Sequence, residues 1–290
     1  MRPGPTIPRV AVPAVVLAGA LLAVAASPAP AAELDPNALA AEILTAETNR
    51  RAIPVLTLEH PEIDMETAYA VQRAYIRRRI ARGDRIGGFK AGLTGVLGRL
   101  WFGTLDPLFG VVFASGRRGD KAEIRLASYR RLIMETEIVL VVGRRITQQV
   151  ADVAALKPMI RGAAPAVEMP ETGFTHAGRA AAEDLAAANS ASAVHVVGRE
   201  RRIDDIDLKR VRVVLRDARE ELSSGRGSQA LGGDPWESAL WLVNAAILQG
   251  WTVERGNLLF TGILGDRTTP HPGEYVGDYG PLGTLRFTLR

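Results

Sequence analysis

From Ile86 to the C-terminus the sequence breaks into short apolar runs separated by Gly, Pro and Asp, and this punctuation limits the fold more than any other feature. Short apolar runs bounded by turn formers read as strands, whereas a helix needs a longer stretch with a 3.6-residue period. Val111–Phe113, Ile133–Val142, Ala163–Glu168, Ala193–Val197, Val211–Leu215, Leu258–Phe260 and Leu285–Leu289 all read as strands. One long helix interrupts them, from Asp234-Pro235 through Leu240, Leu242, Val243 and Ile247 to the stop at Gly250. Strands dominate and helices are segregated from them, so the pattern predicts an α+β fold rather than alternating βαβ units. No Gly-x-Gly-x-x-Gly follows a strand, which leaves a dinucleotide domain without support.

Upstream of Ile86 the texture is helical. Asp35-Pro36 supplies an N-cap and a first-turn proline before an apolar-periodic run through Ile43, which predicts a helix to about Arg50. Arg51 to Pro61 reads as a loop. A second helix should start at Asp64, carry Tyr69, Val71, Tyr75 and Ile80, and end at Gly83. Residues 33–85 therefore make a small N-terminal helical layer, and residues 86–290 a strand-rich main domain.

Residues 1–32 read as a secretory signal peptide. Arg2 and Arg9 give the positive start, Val10 to Ala26 the apolar middle, and Ala29-Pro30-Ala31-Ala32 the small residues of a cleavage site. The apolar run is short of the roughly 20 residues a spanning helix needs, and Pro13 interrupts it, so a stable membrane anchor after cleavage is not expected. Cleavage after Ala31 and after Ala32 fit equally well. The expected location is periplasmic or secreted. The absence of cysteine suits an oxidising compartment and excludes disulfides, thiolate metal sites and a Cys nucleophile. The formal charge of +4 falls to about +2 once Arg2 and Arg9 are removed. No Lys/Arg block is interleaved with aromatics, so nucleic acid is not an expected partner.

The chemistry concentrates in Met134-Glu135-Thr136-Glu137-Ile138-Val139-Leu140-Val141-Val142. Residues two apart on a strand point to one face, so Glu135 and Glu137 aim at one spot, roughly 7 Å apart at the backbone. Two carboxylates there repel unless a cation lies between them, and hard oxygen ligands suit Mg²⁺, Mn²⁺ or Ca²⁺. Glu168, closing the Ala163–Glu168 run, offers a third ligand. The same spacing also fits acids on the wet face of a strand. Lys90, in Gly87-Gly88-Phe89-Lys90-Ala91-Gly92-Leu93-Thr94, is either an exposed loop lysine or a lysine beside a ligand that approaches the glycine backbone.

Ser223-Ser224-Gly225-Arg226-Gly227-Ser228 reads as a Gly/Ser loop whose Arg could take a carboxylate, and it does not match a nucleotide-phosphate loop. Asn189-Ser190 and Thr261-Gly262 are polar groups at strand ends. Gly-x-Ser-x-Gly is absent, and His60, His176, His195 and His271 show no zinc spacing, which argues against serine and zinc hydrolases.

Taken in order, Ala68-Tyr69-Ala70-Val71-Gln72, Gly88 to Thr94, Glu135-Thr136-Glu137, Pro165-Ala166-Val167-Glu168, Asn189-Ser190-Ala191-Ser192, Ser223 to Ser228 with Leu231-Gly232, and Thr261-Gly262 closely resemble the 2-oxo-4-pentenoate hydratase and 4-oxalocrotonate decarboxylase family of the fumarylacetoacetase superfamily. The resemblance covers nearly all of the chain after residue 32. It implies a mixed β-sandwich or roll with peripheral helices, and a divalent cation, Mg²⁺ or Mn²⁺ with Ca²⁺ of the same class, held by Glu135, Glu137 and Glu168. It implies catalytic roles for Lys90, Asn189 and Thr261, and substrate contacts from Gly92, Leu93, Thr94, Ser190, Ser224 and Arg226, with the Ser223–Ser228 loop closing the pocket. The implied substrate is a small 2-oxo acid, hydrated through a metal-stabilised enolate; decarboxylation and C–C hydrolysis are the superfamily alternatives, and a homo-oligomer is the implied assembly. The resembling hydratases carry an acid in a Pro-Asp-Phe/Tyr-Gly segment paired with the lysine. Here the stretch is Asp106-Pro107-Leu108-Phe109-Gly110, and Leu108 stands in that place, a feature that favours a secreted binding protein that has lost turnover.

Overall fold

Asp35 and Asp64 start the two N-terminal helices as their context predicts, in a computed structural model that describes residues 34–290. The signal-peptide reading of residues 1–32 lies outside the described residues. Asp35 accepts from the Asn37 amide at the head of α1 (Pro36–Thr48), and the segment expected to be a loop contains one helical turn, α2 (Leu56–Glu59). That turn is pinned from a distance, because the Asp184 carboxylate accepts from the Thr57 amide at 3.0 Å and from its hydroxyl at 2.6 Å. Local sequence gives no sign of such a contact. Asp64 accepts from the Thr67 amide to cap α3 (Met65–Ala81).

The remaining elements are β1 (Ile86–Gly92), α4 (Val96–Trp101), β2 (Leu108–Phe113), β3 (Arg117–Gly119), β4 (Ala122–Ile124), β5 (Glu135–Val142), α5 (Val153–Leu156), β6 (Ile160–Met169), α6 (Ala182–Ala187), β7 (Val194–Val197), β8 (Arg212–Arg216), β9 (Glu221–Arg226), α7 (Pro235–Leu248), β10 (Leu258–Phe260), β11 (Gly273–Asp278) and β12 (Thr284–Leu289). They form two mixed sheets: seven strands in the order β2-β1-β10-β5-β6-β7-β3, and five in the order β4-β12-β11-β8-β9. The α+β expectation therefore holds. Residues 35–290 form one structural unit, with the N-terminal helices part of it.

One core cluster lies on the face of the seven-stranded sheet where Val112, Val139, Val141, Ala164, Ala166, Val197, Leu258 and Phe260 are buried together, and the opposite face of β5 is buried as well. Burying a side chain such as Leu258 or Phe260 stabilises by about 1.5–3 kcal/mol. The buried Tyr279 hydroxyl donates to the Ala166 carbonyl and so ties the turn between β11 and β12 to β6.

Two local readings are corrected. Lys90 is not on a loop but in the middle of β1, paired on one side with Gly110 of β2 and on the other with Phe260 of β10. Ser223 to Ser228 is not a closing loop either. Its first four residues belong to β9, where Ser223, Ser224, Gly225 and Arg226 pair with Leu215, Val214, Val213 and Arg212 of β8. Small polar residues favour turns locally. Here the β8 ladder and the Asp266 amide, which donates to Ser223 Oγ at 2.9 Å, override that preference.

Candidate active site

The register of β5 against β6 builds the site. Glu135 pairs directly with Glu168, and Glu137 lies two residues further along the same face, opposite Ala166. Each of the three acids presents a carboxylate oxygen within 4.8 Å of the others. The wet-face alternative is excluded: Glu137 and Glu168 are 0% and 1% exposed, and Glu135 is only partly accessible.

Lys90 reaches the cluster from β1. Its Nζ lies 2.5 Å from Glu168 Oε1 and donates to the Ser190 carbonyl at 3.0 Å. Glu137 Oε2 accepts from the Gly262 amide at 2.7 Å. Glu137 Oε1 is buried with no hydrogen bond, and neither Glu168 oxygen takes a well-aligned one despite the lysine alongside. Buried acceptors without donors are costly, so these oxygens want an electropositive partner.

The charges tell the same story. Burial first, then the neighbouring Glu168, pushes the Glu135 carboxyl up to about 7, while Lys90 and Arg267 oppose the rise. Glu137 is held well above the ordinary carboxylate range by burial and by both other acids. Glu168 is raised by burial, against the pull of Lys90. Three acids that each resist ionising share what one divalent cation reverses. The donor set is all oxygen and anionic, which fits Mg²⁺, Mn²⁺ or Ca²⁺.

The remaining expected residues divide into supports and outliers. Asn189, Ser190 and Ala191 all have positive φ (55°, 51° and 54°), a left-handed run that non-glycine residues rarely adopt. Asn189 holds it in place by a two-way clasp on β2: Oδ1 accepts from the Val111 amide and Nδ2 donates to the Val111 carbonyl, each at 2.8 Å. The turn thereby points the Ser190 carbonyl at Lys90. Gly92 must lack a side chain, because a Cβ there would lie 2.1 Å from Ser190 Oγ. Thr261 is fully buried and donates its hydroxyl to the Ile138 carbonyl at 2.7 Å, which sets the position of the next amide, that of Gly262. Gly262 has φ +101°, and the Thr94 side chain packs where its Cβ would be. Leu93, at φ 51°, and Thr94 have their carbonyls capped by Arg99 at 3.1 and 2.8 Å. The structure thus gathers Lys90, Gly92, Leu93, Thr94, Asn189, Ser190, Thr261 and the three acids in one place. Ser224 and Arg226 lie exposed on β9 at the edge of the five-stranded sheet, with no hydrogen bond to the acids or Lys90.

Two contributors, His195 and the Gly262 amide, escaped the sequence reading. His195 pairs with Glu168 across β6 and β7, and its ring stands edge-on to Phe260 at 5.1 Å. Burial, with Arg117, Arg118 and Lys90, pushes its pKa down to about 3, so it is neutral. Spacing along the chain tested it only as a zinc ligand, whereas its neighbourhood depends on register. The Gly262 amide is a backbone donor and carries no side-chain signal. Leu108, 1% exposed, pairs with Gly92 and so lies on the Lys90 face of the sheet.

No family model matches the chain. Among curated proteins it is similar to 2-keto-4-pentenoate hydratase from Paraburkholderia phymatum, at 32% identity over 252 residues that cover 86% of this chain and 95% of that one. Among solved structures it is similar to 4-oxalocrotonate decarboxylase from Pseudomonas putida G7 complexed with magnesium and adipate. There the TM-score is 0.82 and the identity 25%, covering 88% of this chain and 97% of that one. Fumarylpyruvate hydrolase from Pseudomonas aeruginosa, in complex with Mn²⁺ and pyruvate, shares the fold alone, with a TM-score of 0.55 and 12% identity over 69% of this chain and 88% of that one.

Proposed function

This chain belongs to the 2-keto-4-pentenoate hydratase family, and from that premise we propose that it is a divalent-metal-dependent lyase that hydrates a small 2-hydroxy-dienoic acid, the enol of a 2-oxo acid. One observation carries the reading: Glu135, Glu137 and Glu168 meet within 4.8 Å of one another beside a buried lysine. These three carboxylates would hold Mg²⁺ or Mn²⁺, or Ca²⁺ of the same hard class, which would supply Lewis-acid chemistry to a 2-oxo acid.

The chain's own groups do the rest. Glu135 and Glu168, opposed across two strands, fix the ligand oxygens, and the Gly262 amide orients Glu137. The Ser190 carbonyl holds Lys90 Nζ beside the acids, where it delivers or accepts the proton of the enol. Asn189 and Thr261 act by positioning, since their side-chain polar atoms are occupied by backbone. Bare backbone at Gly92 makes room for the Ser190 side chain, whose Oγ would lie 2.1 Å from a Cβ there.

Decarboxylation of a 4-oxalocrotonate-type acid is the second reading, and the likeness to 4-oxalocrotonate decarboxylase supports it. Loss of CO₂ needs the same electron sink but no acid beside the lysine to direct water. Purified protein with Mg²⁺ and 2-hydroxypenta-2,4-dienoate should bleach the ultraviolet dienol band with incorporation of water. Lys90→Met should slow this about 10²- to 10⁴-fold while keeping Mg²⁺ binding. Release of CO₂ from the diacid with an unchanged dienol band on the monoacid would move the assignment to the second reading. Tight oxalate binding with neither reaction would make it a binding protein.

We also propose that the chain is exported as a homo-oligomer. The N-terminal pattern of Arg2, Arg9 and the apolar run to Ala26 supports export. Among the described residues no helix is long and apolar enough to cross a membrane. Exposed Leu97, Leu100 and Leu105 support burial against a second copy. An extracytoplasmic form beginning near Ala32 or Glu33 is expected; an intact Met1 would contradict export.

A further inference from the structure

The strand that carries two of the acids begins its work before Glu135. Isolated bridges pair Leu132 with Glu171 and Met134 with Thr268, which keep the segment ahead of β5 extended. Alternate residues of an extended segment leave it on opposite sides. Leu132, Met134 and Thr136 are buried on one side. On the other lie Arg131, exposed, Ile133 and Glu135, both half-buried, and Glu137, buried. These four side chains form a wall that descends from the surface to the acids.

A cavity of ≈ 500 Å³ stands against the upper part of that wall. Arg131 and Ile133 line it on one side, and Phe102 and Phe174 supply apolar surface. Arg267 enters from the segment bridged to Met134 and is near enough to Glu135 to draw its carboxyl pKa downward. The loop that closes the cavity's other side leads back to the site. Thr94 packs on Gly262, and Arg99 secures the Leu93 and Thr94 carbonyls at the start of the helix that ends in Trp101. Among the described residues neither Arg131 nor Arg267 makes an ion pair.

We propose that this cavity holds the far end of the substrate, and that Arg131 and Arg267 select 2-oxo acids bearing a second carboxylate. The proposal rests on the metal-site reading for where the 2-oxo end lies. Guanidinium groups bind carboxylates through paired hydrogen bonds, and the aromatic walls take the carbon chain between the two ends. The cation site and the arginines then read opposite ends of one molecule.

The test compares two acids of equal chain length, 2-oxoadipate and 2-oxohexanoate, titrated by calorimetry into the full-length protein with saturating Mg²⁺. Wild type should bind the diacid at least tenfold more tightly. In Arg131→Gln with Arg267→Gln that ratio should collapse toward one, with oxalate affinity within twofold of wild type as evidence that the metal end is intact. The ratio of kcat/KM for 2-hydroxyhexa-2,4-dienedioate over 2-hydroxypenta-2,4-dienoate should fall in parallel, through KM. Equal affinity of wild type for the two acids, or a diacid preference that survives in the double variant, overturns the proposal. Arginine-dependent diacid binding without turnover of either dienol would leave this inference standing and remove the proposed reaction instead.

Discussion

The two ends of one sheet face make opposite use of the same strands. At one end, Val139, Val141, Ala164 and Leu258 meet as hydrocarbon and need nothing further. At the other, two to four residues along the same ladders, Glu135, Glu137 and Glu168 converge, and Glu137 Oε1 and both Glu168 oxygens are buried without a hydrogen bond. The apolar end is complete in itself, whereas the acidic end is complete only with a ligand. Stability and function are therefore separable along a strand, although no boundary in the backbone marks the change.

The largest break in that comparison comes from neutralising the acidic end. Glu135→Gln with Glu137→Gln should abolish Mg²⁺ binding and lower turnover by roughly 10³-fold or more, since the cation supplies several kcal/mol to the charged transition state. The metal-free fold should persist, because two reluctant buried charges are gone. Isothermal titration and circular dichroism would check both halves, and unchanged metal affinity would sink the site.

Leu258→Ala asks the opposite question. It should cost about 2–5 kcal/mol in a denaturant titration, from lost burial plus a cavity. Mg²⁺ affinity should change less than twofold. A large loss of metal affinity would mean the two ends are not independent.

The smallest effect is in pH. A carboxyl raised to about 7 in the folded protein binds its proton more tightly folded than unfolded, so its contribution to stability is present at low pH and lost as pH rises through that value. His195, pushed down to about 3, acts in the other direction, but only below its unfolded value near 6.5. Between pH 6.5 and 8 the metal-free protein should thus lose on the order of 1 kcal/mol, and Mg²⁺ should flatten the slope. Thermal melts in chelator that stay level or rise across this window would contradict the assignment of unpaired acids.

Much of this was legible in the chain. Alternation of Glu135 and Glu137 along an apolar run required a shared face, and Asp35-Pro36 and Asp64 marked helix starts correctly. What stayed hidden depended on partners far away in sequence. Ser223-Ser224-Gly225 looks like a loop until β8 is alongside it. Nothing near His195 indicates Glu168, nor does Arg267 announce Glu135, because both relations come from ladder and bridge register rather than spacing. The left-handed run at Asn189–Ala191 has no glycine to announce it, and only the clasp on Val111 makes it tolerable.

The direct pairing of Glu135 with Glu168 has a consequence for how the molecule is made. Sliding β5 by one residue would turn Thr136 and Ile138 toward the pocket and drive both glutamates into hydrocarbon. A misaligned hairpin is therefore penalised twice, once in packing and once in stranded charge. The chemistry of the catalytic end doubles as a proofreading mark for assembly, so a chain that has zipped correctly emerges with its ligand trap already set.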